Sequence, residues 1–153
     1  MKQEIIELSR KVISGIKTYS SFTKELDPQT SEIFPLVHQY FSSHVADRFI
    51  HRKNPEHTFA VYTEYTSNYQ GEYMYLIGEE TEGEQSNRIA QIEIPAGTYM
   101  CFTTDSGEIP AIVVDAWKEI WAMEDRGELM RKYTLDFEWY DPKESRVQIF
   151  LSI

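Results

Sequence analysis

The sequence predicts an α+β fold in which two tandem strand-helix-strand-strand modules, related by a pseudo-two-fold axis, share one antiparallel sheet. Three observations predict it. Most apolar residues fall in short alternating runs, the signature of half-buried strands. Two segments instead carry apolar residues at helical spacing, Ile33-Val37-Tyr40-Phe41-Val45 and Ile109-Val113-Ala116-Trp117-Ile120-Trp121. The order strand, helix, strand, strand then occurs twice, and Gly15-Ile16-Lys17-Thr18-Tyr19 is echoed by Gly97-Thr98-Tyr99.

Ile5 to Phe22 reads as an opening strand with a bend at Gly15. Asp27-Pro28-Gln29-Thr30 is a turn, and Thr30 or Ser31 is placed to cap a helix running to about Phe49. Pro35 falls in its first turn, where a missing N–H costs nothing. Strands follow at Thr58–Thr66 and Glu72–Gly78, joined by a loop at Ser67-Asn68-Tyr69-Gln70-Gly71. Glu79 to Asn87 is acidic and reads as an exposed linker. A strand from Ile89 to Thr104 is interrupted at Pro95-Ala96-Gly97. Ser106 is the expected cap of the second helix, with Pro110 in its first turn. Leu135–Tyr140 and Val147–Ser152 close the chain as strands. The whole, 1–153, is expected to form one domain, with modules of about 1–80 and 88–153 and a ligand groove where they meet.

Composition narrows the function classes. The 153 residues carry a formal net charge of −10, which disfavours direct nucleic-acid binding because phosphate contacts need clustered Lys and Arg. Aromatic residues make up 14%, ten of them Tyr, side chains that supply flat apolar area with a polar tip. One cysteine, Cys101, permits no internal disulfide, so a cytoplasmic location is expected. No apolar run has the length of a membrane span, and no signal-peptide core follows Met1. The four histidines have no zinc-site spacing, and neither a phosphate loop nor a nucleophile triad is visible. No metal and no cofactor is expected.

The chemistry concentrates in Asp136-Phe137-Glu138-Trp139-Tyr140-Asp141. Strand alternation puts Glu138 on one face with Asp136 and Tyr140. A carboxylate in an aromatic wall is costly to ionise unless a partner neutralises it, and a ligand cation is one such partner. An exposed residue in a cross-strand ion pair is the alternative reading.

Three segments resemble the gyrase-inhibitor-like effector-binding domains. Ile92-Glu93-Ile94-Pro95-Ala96-Gly97-Thr98-Tyr99 is similar to that family's IPAGxY entry strand. Ala116-Trp117-Lys118-Glu119-Ile120-Trp121 resembles its aWxxI helix, and Asp136-Phe137-Glu138-Trp139-Tyr140 its dFExY strand. The closing Val147–Ile153 strand looks similar too, without the family's proline. The first half joins mainly through element order and Glu72–Gly78. The resemblance implies an aromatic pocket with a buried glutamate that binds lipophilic cations, as in drug-responsive transcription regulators of the AraC type. With no room for a helix-turn-helix before the first strand, the chain resembles the stand-alone members.

The ligand-binding candidates are therefore Glu138, Trp117, Tyr99 and Tyr140, with Tyr75 and Tyr62 on the opposite wall by pseudo-symmetry. The leading expectation is a binder of hydrophobic, cationic aromatic molecules, for sensing or sequestration. Two alternatives stand beside it. One is a hydrolase of strained cyclopropanoid toxins using Glu138 as acid or base. The other is a protein-binding regulator whose partner, another regulator or gyrase, docks on surface acids Glu79, Glu80 and Glu82.

Overall fold

The computed structural model describes every residue from Met1 to Ile153. The strands are β1 (Lys2–Leu8), β2 (Lys11–Ser21), β3 (Thr58–Thr63), β4 (Glu72–Glu80), β5 (Ala90–Ile94), β6 (Gly97–Thr103), β7 (Leu135–Tyr140) and β8 (Val147–Ser152). The helices are α1 (Phe22–Glu25), α2 (Ile33–Ser42) and α3 (Ala111–Asp125), with a short tight turn of helix at Val45–Arg48. All strands join one sheet in the order β1-β6-β8-β7-β3-β4-β2-β5. Every pairing is antiparallel.

The order is symmetric about the β3–β7 pair, with β4 and β2 on one side and β8 and β6 on the other. The edge strands change sides. β1 pairs with β6 of the second module, and β5 pairs with β2 of the first. The expected opening strand is therefore two strands with different partners, parted at Ser9 and Arg10. Gly15 faces Gly78 across the β2–β4 pair. A Cβ on either would lie 1.9 Å from a carbonyl oxygen of the opposite strand, so this crossing admits only glycine.

Alternation assigns the faces. Phe59, Val61, Met74, Leu76, Leu135, Phe137 and Phe150 enter one buried cluster that also takes Ile13, Ile94, Tyr99 and Cys101 from strands near the two edges. Cluster members from both ends of the sheet mean that it curls over this face without help from a helix. Burial pushes the Cys101 thiol up to about 11, which leaves it inert as a nucleophile. The other face carries the helices. Val113, Ala116, Trp117 and Ile120 of α3 pack on Val147, Ile149 and Leu151. Tyr40 of α2 packs with Tyr73, Tyr75 and Ile77.

Several expected boundaries move. α2 stops at Ser42 because His44 takes a left-handed conformation (φ 50°), and the chain tightens into Val45–Arg48 rather than continuing to Phe49. The cap position of α2 belongs to Glu32 rather than to Thr30 or Ser31, although the Ser31 hydroxyl still accepts from the Phe34 N–H at 3.4 Å. The Glu25 carboxylate accepts from the backbone N–H groups of Glu32 (2.8 Å) and Ile33 (3.3 Å). α3 begins only after Pro110, and Ser106 accepts from Arg146 Nε instead of capping. The expected linker is part of the sheet at its start. β4 extends to Glu80, and Glu79, Glu80 and Thr81 are buried.

Candidate functional site

β7 delivers Glu138 to the helix-bearing face beside Asp136 and Tyr140, as alternation requires. Glu138 is 3% exposed. Its Oε2 accepts from Trp117 Nε1 at 2.6 Å and from the Tyr62 hydroxyl at 2.9 Å. Its Oε1 accepts from the Tyr140 hydroxyl at 2.6 Å. These donors come from α3, β3 and β7 itself, so the carboxylate sits where the two modules meet. Tyr75 on β4 packs edge-on against Tyr62, with ring centroids 5.2 Å apart.

Glu138 forms no ion pair; every donor to it is neutral. Burial raises its pKa, and the hydrogen bonds from Tyr140, Trp117 and Tyr62 pull it back in part. Burial also pushes the Tyr62, Tyr75 and Tyr140 hydroxyls up, and the Glu138 charge adds to it, so all three remain protonated, Tyr62 and Tyr140 as donors to the carboxylate.

Two residues away, Asp136 is treated differently. Arg131 Nη2 reaches Asp136 Oδ2 at 2.6 Å, and the Tyr65 hydroxyl donates to the same oxygen at 2.6 Å. The Arg131 guanidinium is itself buried, lying 4.2 Å from the Tyr133 ring and 5.5 Å from the Trp117 ring, within cation–π range of both.

A pocket of about 300 Å³ opens in front of Trp117 and Tyr62. Tyr65, Tyr73, Trp121, Tyr69 and Phe22 complete its aromatic walls. Tyr69 stacks on Trp121 with planes 12° apart, and Trp121 is stacked in turn on Trp117. Phe22 of α1 meets Trp121 edge-on at 5.3 Å. Glu138 itself does not line the pocket. It sits behind Tyr62 and Trp117, whose polar ends turn to the carboxylate while their rings form pocket wall.

The structure thus brings Glu138, Trp117, Tyr62, Tyr75 and Tyr140 together. Tyr99 is separated from them. It points to the opposite face of the sheet, packs in the curled core at 5.9 Å from Phe137 and donates to the Pro95 carbonyl at 2.7 Å. The expectation that Tyr99 flanks the glutamate is corrected by strand parity, since β6 turns Phe102, not Tyr99, toward α3. The acidic docking surface is corrected as well. Glu79 is held by Arg52, and Glu80 by Lys11 and Lys53; both are buried, while Glu82 alone of the three is solvent-facing. Phe22, Glu25, Tyr69 and Arg131 belong to the pocket without having been singled out. Tyr69 was hidden in a hairpin loop, and only the helical stripe of Trp121 hinted at this wall.

The model of the Cass2 family, integron-associated effector binding protein, matches residues 4–153. The chain belongs to this family. YobU of Bacillus subtilis (strain 168), whose name proposes a transcriptional regulator, is 28% identical to this chain over 156 residues, covering 97% of this chain and 96% of YobU. The integron cassette protein VCH_CASS2, from the mobile metagenome of Vibrio cholerae, superposes with a TM-score of 0.79 at 23% identity, covering 98% of this chain and 94% of that one. SAV2435, solved bound to tetraphenylphosphonium, superposes with a TM-score of 0.74 at 16% identity, over 99% of this chain and 93% of its own. These similarities confirm an α+β effector-binding fold. No helix is long and apolar enough to cross a membrane.

Proposed function

We propose that this Cass2-family protein binds flat or globular hydrophobic cations in the pocket walled by Trp117, Tyr62, Trp121 and Tyr69, with Glu138 supplying the neutralising charge from behind the wall. The observation that carries this reading is a fully buried carboxylate with three neutral donors and no cation of its own. A desolvated charge left unmatched is costly, so a ligand cation that matches it recovers energy. At an effective dielectric of about 20, unit charges separated by the thickness of one aromatic side chain attract by about 2 kcal/mol. Hydrogen bonding of Trp117 and Tyr62 to the carboxylate also pushes electron density toward the rings, which strengthens cation–π attraction on their pocket side. The tetraphenylphosphonium complex of SAV2435 is consistent with this ligand class.

Because all three donors already occupy the carboxylate, the cation need bring no N–H of its own; an onium is favoured over a protonated amine. The test is a fluorescence titration with tetraphenylphosphonium and neutral triphenylphosphine oxide, for the wild type and Glu138→Gln. Charge-selective binding that weakens about 30-fold in the variant corresponds to the 2 kcal/mol above. Equal affinities for the two proteins would refute the role of Glu138. Mass spectrometry of the recovered ligand separates binding from turnover: an unchanged mass marks a binder.

A further inference from the structure

We infer that the pocket holds a second charge-matching subsite at Glu25, so that its preferred ligands are flat aromatic dications of the bipyridinium class. The inference rests on the cation-binding reading of the same pocket. Glu25 is the only carboxylate among the pocket-lining residues, and it stands on the wall contributed by α1, with Phe22 and Leu26. Its Oε1 accepts from Ser31 Oγ at 2.7 Å. Its Oε2 accepts from Ser20 Oγ and from the N–H groups of Glu32 and Ile33. Like Glu138, it is surrounded by neutral donors and forms no ion pair.

The other charges do not cancel this pair. Arg131 lines the pocket, but Asp136 and Glu124 already hold it. Lys118, on α3, lies on the exposed rim, where its ammonium stays hydrated. Asp125, which accepts from the Tyr69 hydroxyl, only adds negative charge. Two uncompensated carboxylates therefore act on one aromatic cavity, Glu138 from behind Trp117 and Tyr62 and Glu25 from the α1 side. Tyr73 and Tyr75, neighbours on one face of β4, feel both charges, so both carboxylates lie near this strand face.

The chemistry of the ligand follows. Two negative charges acting on one aromatic cavity, Glu138 buried and Glu25 half-buried, ask for two positive ones. The lone pairs of both carboxylates are engaged, so the cations need no N–H. The stacked planes of Tyr69, Trp121 and Trp117, in about 300 Å³, suit a flat ring system.

The experiment compares two probes of nearly the same shape, dimethyl bipyridinium (two charges) and methyl phenylpyridinium (one charge), by quenching of tryptophan fluorescence and by calorimetry. In the wild type, which needs no variant to fold, the dication should bind at least about tenfold tighter, a gap of 1.4 kcal/mol. In Glu25→Gln, whose amide oxygen still accepts from the start of α2, the dication should fall to the level of the monocation, while the monocation changes less than about threefold. Equal binding of the two probes by the wild type, or an equal loss of both in the variant, overturns the second subsite and leaves the cation pocket standing. If neither probe nor tetraphenylphosphonium binds, the underlying reading falls and this one with it.

Discussion

The end of β4 and the middle of β7 both bury carboxylates, and they handle the charge in opposite ways. Glu79 receives a two-point grip from Arg52 at 2.7 and 2.8 Å and a backbone N–H from Glu56 at 3.1 Å. Glu80 lies between Lys11 at 3.4 Å and Lys53 at 3.5 Å. Glu138 receives only phenol and indole donors. A carboxylate matched by the protein's own cation spends its field on holding segments together, here the 49–57 loop onto the sheet. One left with neutral donors keeps its field for something that arrives later. The difference separates a structural acid from a binding acid better than burial does, because all three are buried.

The largest expected effect breaks the matched side. Arg52→Met leaves Glu79 buried without a counter-charge, which should cost about 3 kcal/mol in urea unfolding. That is the low end for such a loss, because the Arg52 side chain stays 24% exposed. A loss under about 1 kcal/mol would mean that the Glu56 N–H suffices and the contrast fails.

On the unmatched side, Glu138→Gln should leave the protein at least as stable as the wild type at neutral pH. The sign follows from its raised pKa. The folded state favours the neutral acid, so wild-type stability is undiminished below the unfolded value near 4.5 and falls as pH rises from there through the higher folded pKa. The Gln variant lacks that fall, so its advantage should grow with pH over this window and then level off. A difference that is flat with pH would show that Glu138 does not titrate abnormally. Onium affinity should move the other way, weakening as pH drops through the same folded pKa.

Smaller effects sharpen the picture. Trp117→Phe keeps a ring in the wall but deletes a donor to Glu138. It should lower onium affinity by about 1.5 kcal/mol and raise the pH midpoint of binding; an unmoved midpoint would detach the indole from the charge. Tyr99→Phe should be smallest, costing about 1 kcal/mol of stability through the lost bond to Pro95 and leaving onium affinity within about twofold.

Much of this was legible in the chain itself. The bounds of β7 and β8 agree with the sequence expectation, because clean alternation on both sides of Asp141-Pro142 leaves little choice. Glu138, Trp117 and Tyr140 were legible from the motifs that carry them, and Tyr62 and Tyr75 only through the pseudo-symmetry of the two halves. Tyr99 was not, because no local pattern says which face of β6 meets α3. Glu79-Glu80-Thr81-Glu82 looks like solvated loop until Arg52, Lys53 and Lys11 arrive from distant segments. α1, only four residues long, is too short to show a period. The side chains it adds, Phe22 and Glu25, are the ones that complete the pocket.

The exchange of edge strands has a consequence in time. Lys2 pairs with Thr103, so β1 stays without its neighbour until some hundred residues more have been made. At ordinary rates of synthesis that is roughly 5–20 s. β2 likewise waits for β5 to cover its outer edge. During that interval the first module presents bare backbone edges, which are templates for pairing with other chains. The same exchange ties the finished molecule shut, because neither module can peel away without stripping a strand from the other. A half-made sheet exposed for seconds is thus the counterpart of a finished one that does not come apart by halves.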